Sequence, residues 1–214
     1  MFEAIDLSFG YGGRQRMLLD GVSLRVQQGQ ILGIRGASGS GKTTLARLLA
    51  GYLQPARGCV ALAGSALGLA GVSAVQLVFQ HAETSVDPRW RIRRILSEGW
   101  HPDDDTLTRF GVRNEWLDRY PHELSGGELQ RVAMVRALVP TLRVLIVDEL
   151  TAMHDAITQA RLWRALLETT VSRQMTVIAI SHDAALLHAI GAKILTLQDG
   201  RLMAADITDQ ATGP

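Results

Sequence analysis

Three features of the sequence predict an α/β fold with a mostly parallel sheet, an N-terminal antiparallel β subdomain and an inserted α-helical subdomain. In the last third the apolar runs RVLIVD, MTVIAIS and KILTLQDG alternate with the helical stretches AITQARLWRALLETTV and DAALLHAIG. Continuous apolar strands separated by helices make a parallel sheet covered on both faces. The first third instead alternates short β-rich runs, FEAIDLSF, GVSLRV and QILGIRG, with turns at Gly12, Gly13, Gly21 and Gly29. Between His81 and about Pro140 the period turns mostly helical, broken at Pro88, Pro102 and Pro121. The expected organisation is one domain over 1–214, with a core of 1–80 and 141–214 and a helical lobe of 81–140.

Taken in order, the strand ILGIRG runs into a glycine loop and then into KTTLARLLAGYL, where Leu45, Leu48, Leu49 and Leu53 fall at helical spacing before Gly51 to Pro55 end the helix. CVALAG is a further strand, SALGLAGVSAV a small-residue connection and QLVFQ another strand. A hydrophobic content of 47% with 20% charged residues supports a packed core. The net charge of +1 gives no basis for a nucleic-acid partner, which demands clustered Lys and Arg. A single Cys59 makes no intrachain disulfide, and the N-terminus lacks a basic segment followed by a long apolar run, which points to the cytosol. No window reaches the roughly 18 apolar residues of a membrane span, so a membrane role has to come through another protein.

The segment GASGSGKT, Gly36 to Thr43, matches G-x-x-x-x-G-K-[ST] between a strand and a helix, as a P-loop NTPase with a RecA-like core requires. Gly36, Ala37, Ser38, Gly39, Ser40 and Gly41 let backbone N–H groups curl around an anion, Lys42 reaches the terminal phosphates, and Thr43, followed by Thr44, offers a hydroxyl to Mg²⁺. This explains why the apolar run VLIVDE ends in two adjacent carboxylates. At a strand end beside a phosphate loop Asp148 serves the metal, and Glu149, one residue on, polarises an attacking water as general base.

A nucleotide kinase or a GTPase would share those two features. LSGGELQR, Leu124 to Arg131, separates them: Ser125, Gly126 and Gly127 at a helix start form a second anion cradle. Here the chain resembles the ATP-binding-cassette (ABC) ATPases, whose signature reads LSGGQ; Glu128 stands where Gln is usual. The resemblance implies two copies packed head to tail, each ATP held between the phosphate loop of one and the signature of the other, so that a two-fold pair makes both sites from one sequence. It also implies that Tyr11 stacks on adenine, that Gln80 touches Mg²⁺ and the water, and that His182 in AISHD reaches the γ-phosphate. His81, His101, His122 and His188 show no metal-ligand spacing.

TSVDPRWRIRRILSEGW and YPHELSGGELQRVAMVRAL look most like the peptide and nickel importer branch. That likeness implies a cytoplasmic ATPase bound peripherally to the cell membrane through permease subunits. A second ATPase, identical or related, and a periplasmic or extracellular substrate-binding protein complete the complex. Two alternatives stay open: a soluble ABC ATPase of a non-transport complex, and a regulatory cassette with little hydrolysis. The second draws on a departure: the family's Pro-Thr-Ser-Ala-Leu-Asp after the catalytic Glu is here Leu150, Thr151, Ala152, Met153, His154 and Asp155. Two His154 side chains facing each other across a pair would make closure harder as pH falls.

Overall fold

The computed structural model describes residues 1–12, 17–67, 72–150 and 156–204. Its strands and helices, in chain order, are β1 (Phe2–Phe9), β2 (Leu19–Val26), β3 (Ile31–Arg35), α1 (Lys42–Leu49), β4 (Arg57–Leu62), β5 (Ser65–Ala66), β6 (Val75–Val78), α2 (Ile92–Leu96), α3 (Asp104–Arg109), α4 (Gly126–Ala137), β7 (Val144–Asp148), α5 (Ala156–Arg173), β8 (Thr176–Ile180), α6 (Ala184–Ala189), β9 (Lys193–Gln198) and β10 (Arg201–Ala204). They fall into two compact units, one of residues 1–26, 31–67 and 179–214, the other of 27–30 and 68–178.

The first unit holds the predicted antiparallel subdomain, a four-stranded sheet in the order β2-β1-β4-β5. Alternation fixes its register: Ala4 faces Leu24 on one side and Val60 on the other, and all three are buried. In the same unit β3 runs parallel to β9, Leu32 opposite Lys193 and Arg35 opposite Thr196, while β10 folds back antiparallel on β9. Past the end of β8, Ser181 N–H donates to Ile34 O at 3.2 Å, which sets that strand end beside β3. Gly33 in β3 leaves room for α6, since a Cβ there would lie 3.2 Å from both Leu187 methyl carbons. α1 buries Leu45, Leu48 and Leu49, as the spacing predicts, together with Ala46, but it ends at Leu49, so Leu53 lies past the helix and is half-buried.

In the second unit β6 and β7 pair in parallel, Val75 opposite Val144 through Val78 opposite Val147. β7, VLIVD, is buried at every residue, as a strand covered on both faces is. The long α5 buries Leu162, Trp163, Ala165 and Leu166, and its Thr169 and Thr170 hydroxyls are satisfied by donating to Ala165 O and Leu166 O. The segment read as mostly helical is less regular than its period suggests. α2 has five residues and α3 six, and Ala82–Ser85, Asn114–Trp116 and Pro121–Glu123 are 3₁₀ turns. Only α4 is long, and it carries the packing: Leu129, Val132, Ala133, Met134 and Val135 are buried. Trp116 fills the lobe's interior, and the Trp100 indole N–H donates to the carbonyls of Val135 and Arg136. Among the described residues no helix is long and apolar enough to cross a membrane.

Candidate nucleotide site

In the first unit the glycine loop is shaped by two positions that admit no side chain. A Cβ on Gly36 would lie 2.6 Å from Leu197 O and 2.8 Å from Ser40 Oγ, inside any real contact distance. Gly41, at φ +100°, turns the chain into α1 in a left-handed conformation against the side chains of Leu18 and Leu19. Between them the backbone curls, with Ser40 N–H donating to Ala37 O at 3.2 Å. Lys42 opens α1, is buried, and bends its ammonium back to donate to Gly36 O at 2.8 Å and Ala37 O at 2.9 Å. The Ser40 hydroxyl is buried with no hydrogen-bond partner among the described residues. A buried hydroxyl left so is costly, and a loop that presents one beside an ammonium and a helix start is built for an anion that takes its hydrogen. Thr43 stands exposed in the first turn, and Thr44 is buried behind it.

This loop forms one wall of a cavity of about 990 Å³. Tyr11 lies on another wall, 61% exposed, its ring edge-on to Phe9 at 5.0 Å and its hydroxyl sharing a hydrogen bond with Thr44 Oγ1 at 3.3 Å. The ring is therefore anchored at its hydroxyl end and beside Phe9 while most of it stays exposed, an arrangement suited to stacking a base. The third wall is the end of β9, Thr196 to Gln198, with the β9–β10 turn, Asp199 and Gly200. Asp199-Gly200 marks a hairpin turn, but no local pattern reveals that the strand end before it abuts the phosphate loop through Leu197 O. His182 follows Ser181, directly past the β8 end held to Ile34 of β3, and is exposed.

In the second unit the parallel register explains a contact that spacing alone hides. Val78 lies opposite Val147, so Gln80 and Glu149, each two residues further on, leave neighbouring strand ends on the same edge. Gln80 Nε2 donates to Glu149 Oε2 at 3.0 Å. Asp148, the last residue of β7, is buried at 2% exposure. Glu149 has φ +49°, an uncommon backbone for a residue with a side chain. Leu150 follows it and is buried. A proline there, as the family pattern has, would push its predecessor toward extended backbone. Leu150, without a proline ring, places no such restriction on Glu149. Thr151 to Asp155, including His154, lie outside the described residues.

The signature is the start of α4. Ser125 is its N-cap, with its Oγ accepting from Glu128 N at 3.3 Å, and Gly126 and Gly127 form the first turn. Glu128 answers with its carboxylate, Oε2 accepting from Ser125 N–H at 2.8 Å and from Ser125 Oγ at 3.0 Å. The backbone hydrogen bond from Ser125, then its hydroxyl and the positive charges of Arg131 and Arg113, outweigh partial burial and hold the Glu128 carboxyl below its usual range. The structure thus gathers Tyr11, Gly36 to Thr44 and the His182 loop in one unit, and in the other joins Gln80 to Glu149 and builds the signature as a capped helix start.

Comparison with known proteins places this geometry. The ABC transporter family matches residues 19–152. The nickel import system ATP-binding protein NikE of Staphylococcus aureus is 34% identical over 216 residues, covering 95% of this chain and 89% of the relative. Among solved structures, a dimeric ATP-binding cassette in a post-hydrolysis state bound to ADP and Pi superposes with a TM-score of 0.82 at 22% identity, covering 94% of this chain and 96% of that one. An ATP-binding subunit of an ABC transporter gives the same TM-score at 20% identity over 98% of this chain and 90% of its own. These two establish the fold, a P-loop α/β cassette. The chain belongs to the ABC transporter family and is one of its ATP-hydrolysing cassettes.

Proposed function

We propose that this protein is the ATPase subunit of a bacterial importer for peptides, nickel or metal chelates, working as a pair on the cytoplasmic face of the cell membrane beneath permease subunits. The importer branch is supported by the likeness to the nickel import protein over almost the whole chain. Whether the second cassette is identical or related, an external substrate-binding protein would deliver the cargo. The observation that carries ATP binding is the Gly36–Thr43 loop, which lines the cavity beside Tyr11 with Gly36 to Ser40 and holds the buried Lys42 and, within it, the Ser40 hydroxyl with no partner among the described residues.

In this reading Tyr11 stacks the adenine, the amides of Gly36 to Thr44 wrap the phosphates, and Lys42 leaves its two loop carbonyls to take the β- and γ-phosphate oxygens. Thr43, Gln80 and Asp148 supply the hydroxyl, amide and carboxylate oxygens that suit Mg²⁺. The ion, when bound, neutralises charge on the phosphate oxygens. Glu149 accepts a proton as the water oxygen bonds to the γ-phosphorus and the bond from that phosphorus to the β–γ bridging oxygen breaks. His182 holds the γ-phosphate oxygens in place. Ser125, Gly126, Gly127 and Glu128 face the nucleotide of the partner copy. Glu149→Gln tests the base directly: ATP binding persists while steady-state turnover falls by about 100-fold or more, and turnover equal to the parent's removes Glu149 from that role.

A second reading, a cassette that binds ATP and hydrolyses little, draws on the left-handed Glu149 and its hydrogen bond from Gln80. Steady-state turnover of the purified chain with ATP and Mg²⁺ separates the two readings by rate: the first gives fast phosphate release and the second slow release, and Glu149→Gln lowers either.

A further inference from the structure

The two anion cradles differ in one respect that bears on how tightly a pair forms. At the start of α4 the donors suited to a phosphate are the Ser125 hydroxyl and the first amides of the helix. The Ser125 hydroxyl and its N–H are both within hydrogen-bond distance of one oxygen, Glu128 Oε2, at 3.0 and 2.8 Å. On the paired reading, a carboxylate of the chain itself therefore occupies the donors that would meet a phosphate of the partner's nucleotide. The Ser125 hydrogen bonds, with Arg131 and Arg113 nearby, keep that carboxylate ionised at neutral pH. The usual Gln at this place could still accept from the Ser125 N–H but would bring no charge.

We propose that Glu128 is a positioning residue that acts through Ser125: it holds the Ser125 hydroxyl hydrogen on itself and places a negative charge at the second cradle, so that the partner's terminal phosphate must displace it, and pairing driven by ATP is weaker than the same cradle with Gln would give. The inference rests on the paired reading above. Its physical basis is that a helix N-terminus carries about half a positive charge. An anion already bound there both uses that charge and repels a second anion. The competing explanation is local: Ser-x-x-Glu is an ordinary capping box that orders a helix start. On that explanation Gln at 128 changes the stability of α4 slightly and leaves pairing alone.

The experiment is an ATP titration of dimer fraction by analytical ultracentrifugation in the Glu149→Gln background, with Glu128 or with Glu128→Gln, and thermal unfolding as the check on folding. The inference expects Glu128→Gln to lower the ATP concentration at half-maximal pairing by about fivefold at low salt, and the gap to shrink as salt screens the charge. Glu128→Ala, which removes the charge and the return bond of the capping box together, still pairs at lower ATP than the parent if its fold is retained. Superimposable titrations for Glu128 and Glu128→Gln in chains that do pair overturn the role of Glu128 alone. Absence of ATP-dependent pairing in both chains overturns the paired reading, and this inference with it.

Discussion

The loop Gly36–Thr43 and the signature Ser125–Glu128 are both glycine-bearing turns into a helix, yet they meet an anion in opposite ways. The first brings a cation with it, Lys42, buried and held to Gly36 O and Ala37 O until something better arrives, and it keeps the Ser40 hydroxyl buried without a partner. The second brings an anion, Glu128, which already takes the hydrogens of Ser125. On the proposed reading the difference is one of order: a cradle with its own countercharge would bind phosphate without help, whereas a cradle filled by its own carboxylate would gain a phosphate only when a partner delivers it. Lone binding by the first loop and assisted binding by the second are what an ATP-gated pair needs.

The comparison breaks most sharply at Lys42. Removing a buried cation from a phosphate site costs about 2–5 kcal/mol, so Lys42→Ala is expected to weaken ATP binding by about 30-fold or more in a fluorescent-nucleotide titration. An affinity within twofold of the parent would deny the loop its proposed charge. Next comes shape. Gly36→Ala would place a methyl 2.6 Å from Leu197 O, so the loop and the end of β9 must part. The expected result is a destabilisation of about 1–3 kcal/mol, read by denaturant unfolding, together with weaker ATP binding. Unchanged stability would mean that the end of β9 is not pressed against the loop.

Much of this contrast is legible in the sequence, because an anion cradle is built from contiguous residues and its glycines, lysine and hydroxyls must follow one another. The strand end Asp148-Glu149 is legible for the same reason, an apolar run stopping at two charges. Contacts between distant segments are not. Gln80 meets Glu149 because β6 and β7 align Val78 with Val147, and that register is a property of the sheet rather than of either strand's sequence. The β9–β10 turn is a cavity wall only because β9 lies parallel beside β3. In the lobe the helical period is real, but prolines and 3₁₀ turns cut it into pieces, so period predicts burial there better than helix length. Leu150 in place of proline marked a departure in the sequence, while the left-handed Glu149 that accompanies it needed the structure.

Smaller effects sharpen the second cradle. Ser125→Ala removes the N-cap acceptor of α4, and a loss of about 1 kcal/mol in unfolding free energy is expected; no loss would mean the helix start is held by packing alone. The smallest effect is on pH. Glu128 is held below its usual carboxyl range in the folded chain, so its contribution is fully present above the unfolded carboxyl value and is lost as pH falls through the lowered folded value. Glu128→Gln should therefore flatten a small part of the acid limb of stability against pH, measured by urea unfolding from neutral pH downward. Identical slopes in the two proteins would show that the Ser125–Glu128 bonds do not persist in solution.

The most direct test of the account is whether the two cradles work together from opposite chains. Lys42→Ala and Ser125→Arg, each combined with Glu149→Gln, leave no intact site in either chain alone, whereas a mixed pair has one intact site and one doubly damaged site. With random pairing, mixing equal amounts should restore ATP retention in dimers to about a quarter of the Glu149→Gln parent's level. Retention in the mixture no higher than in either variant alone, once mixed pairs are shown to assemble, would contradict it.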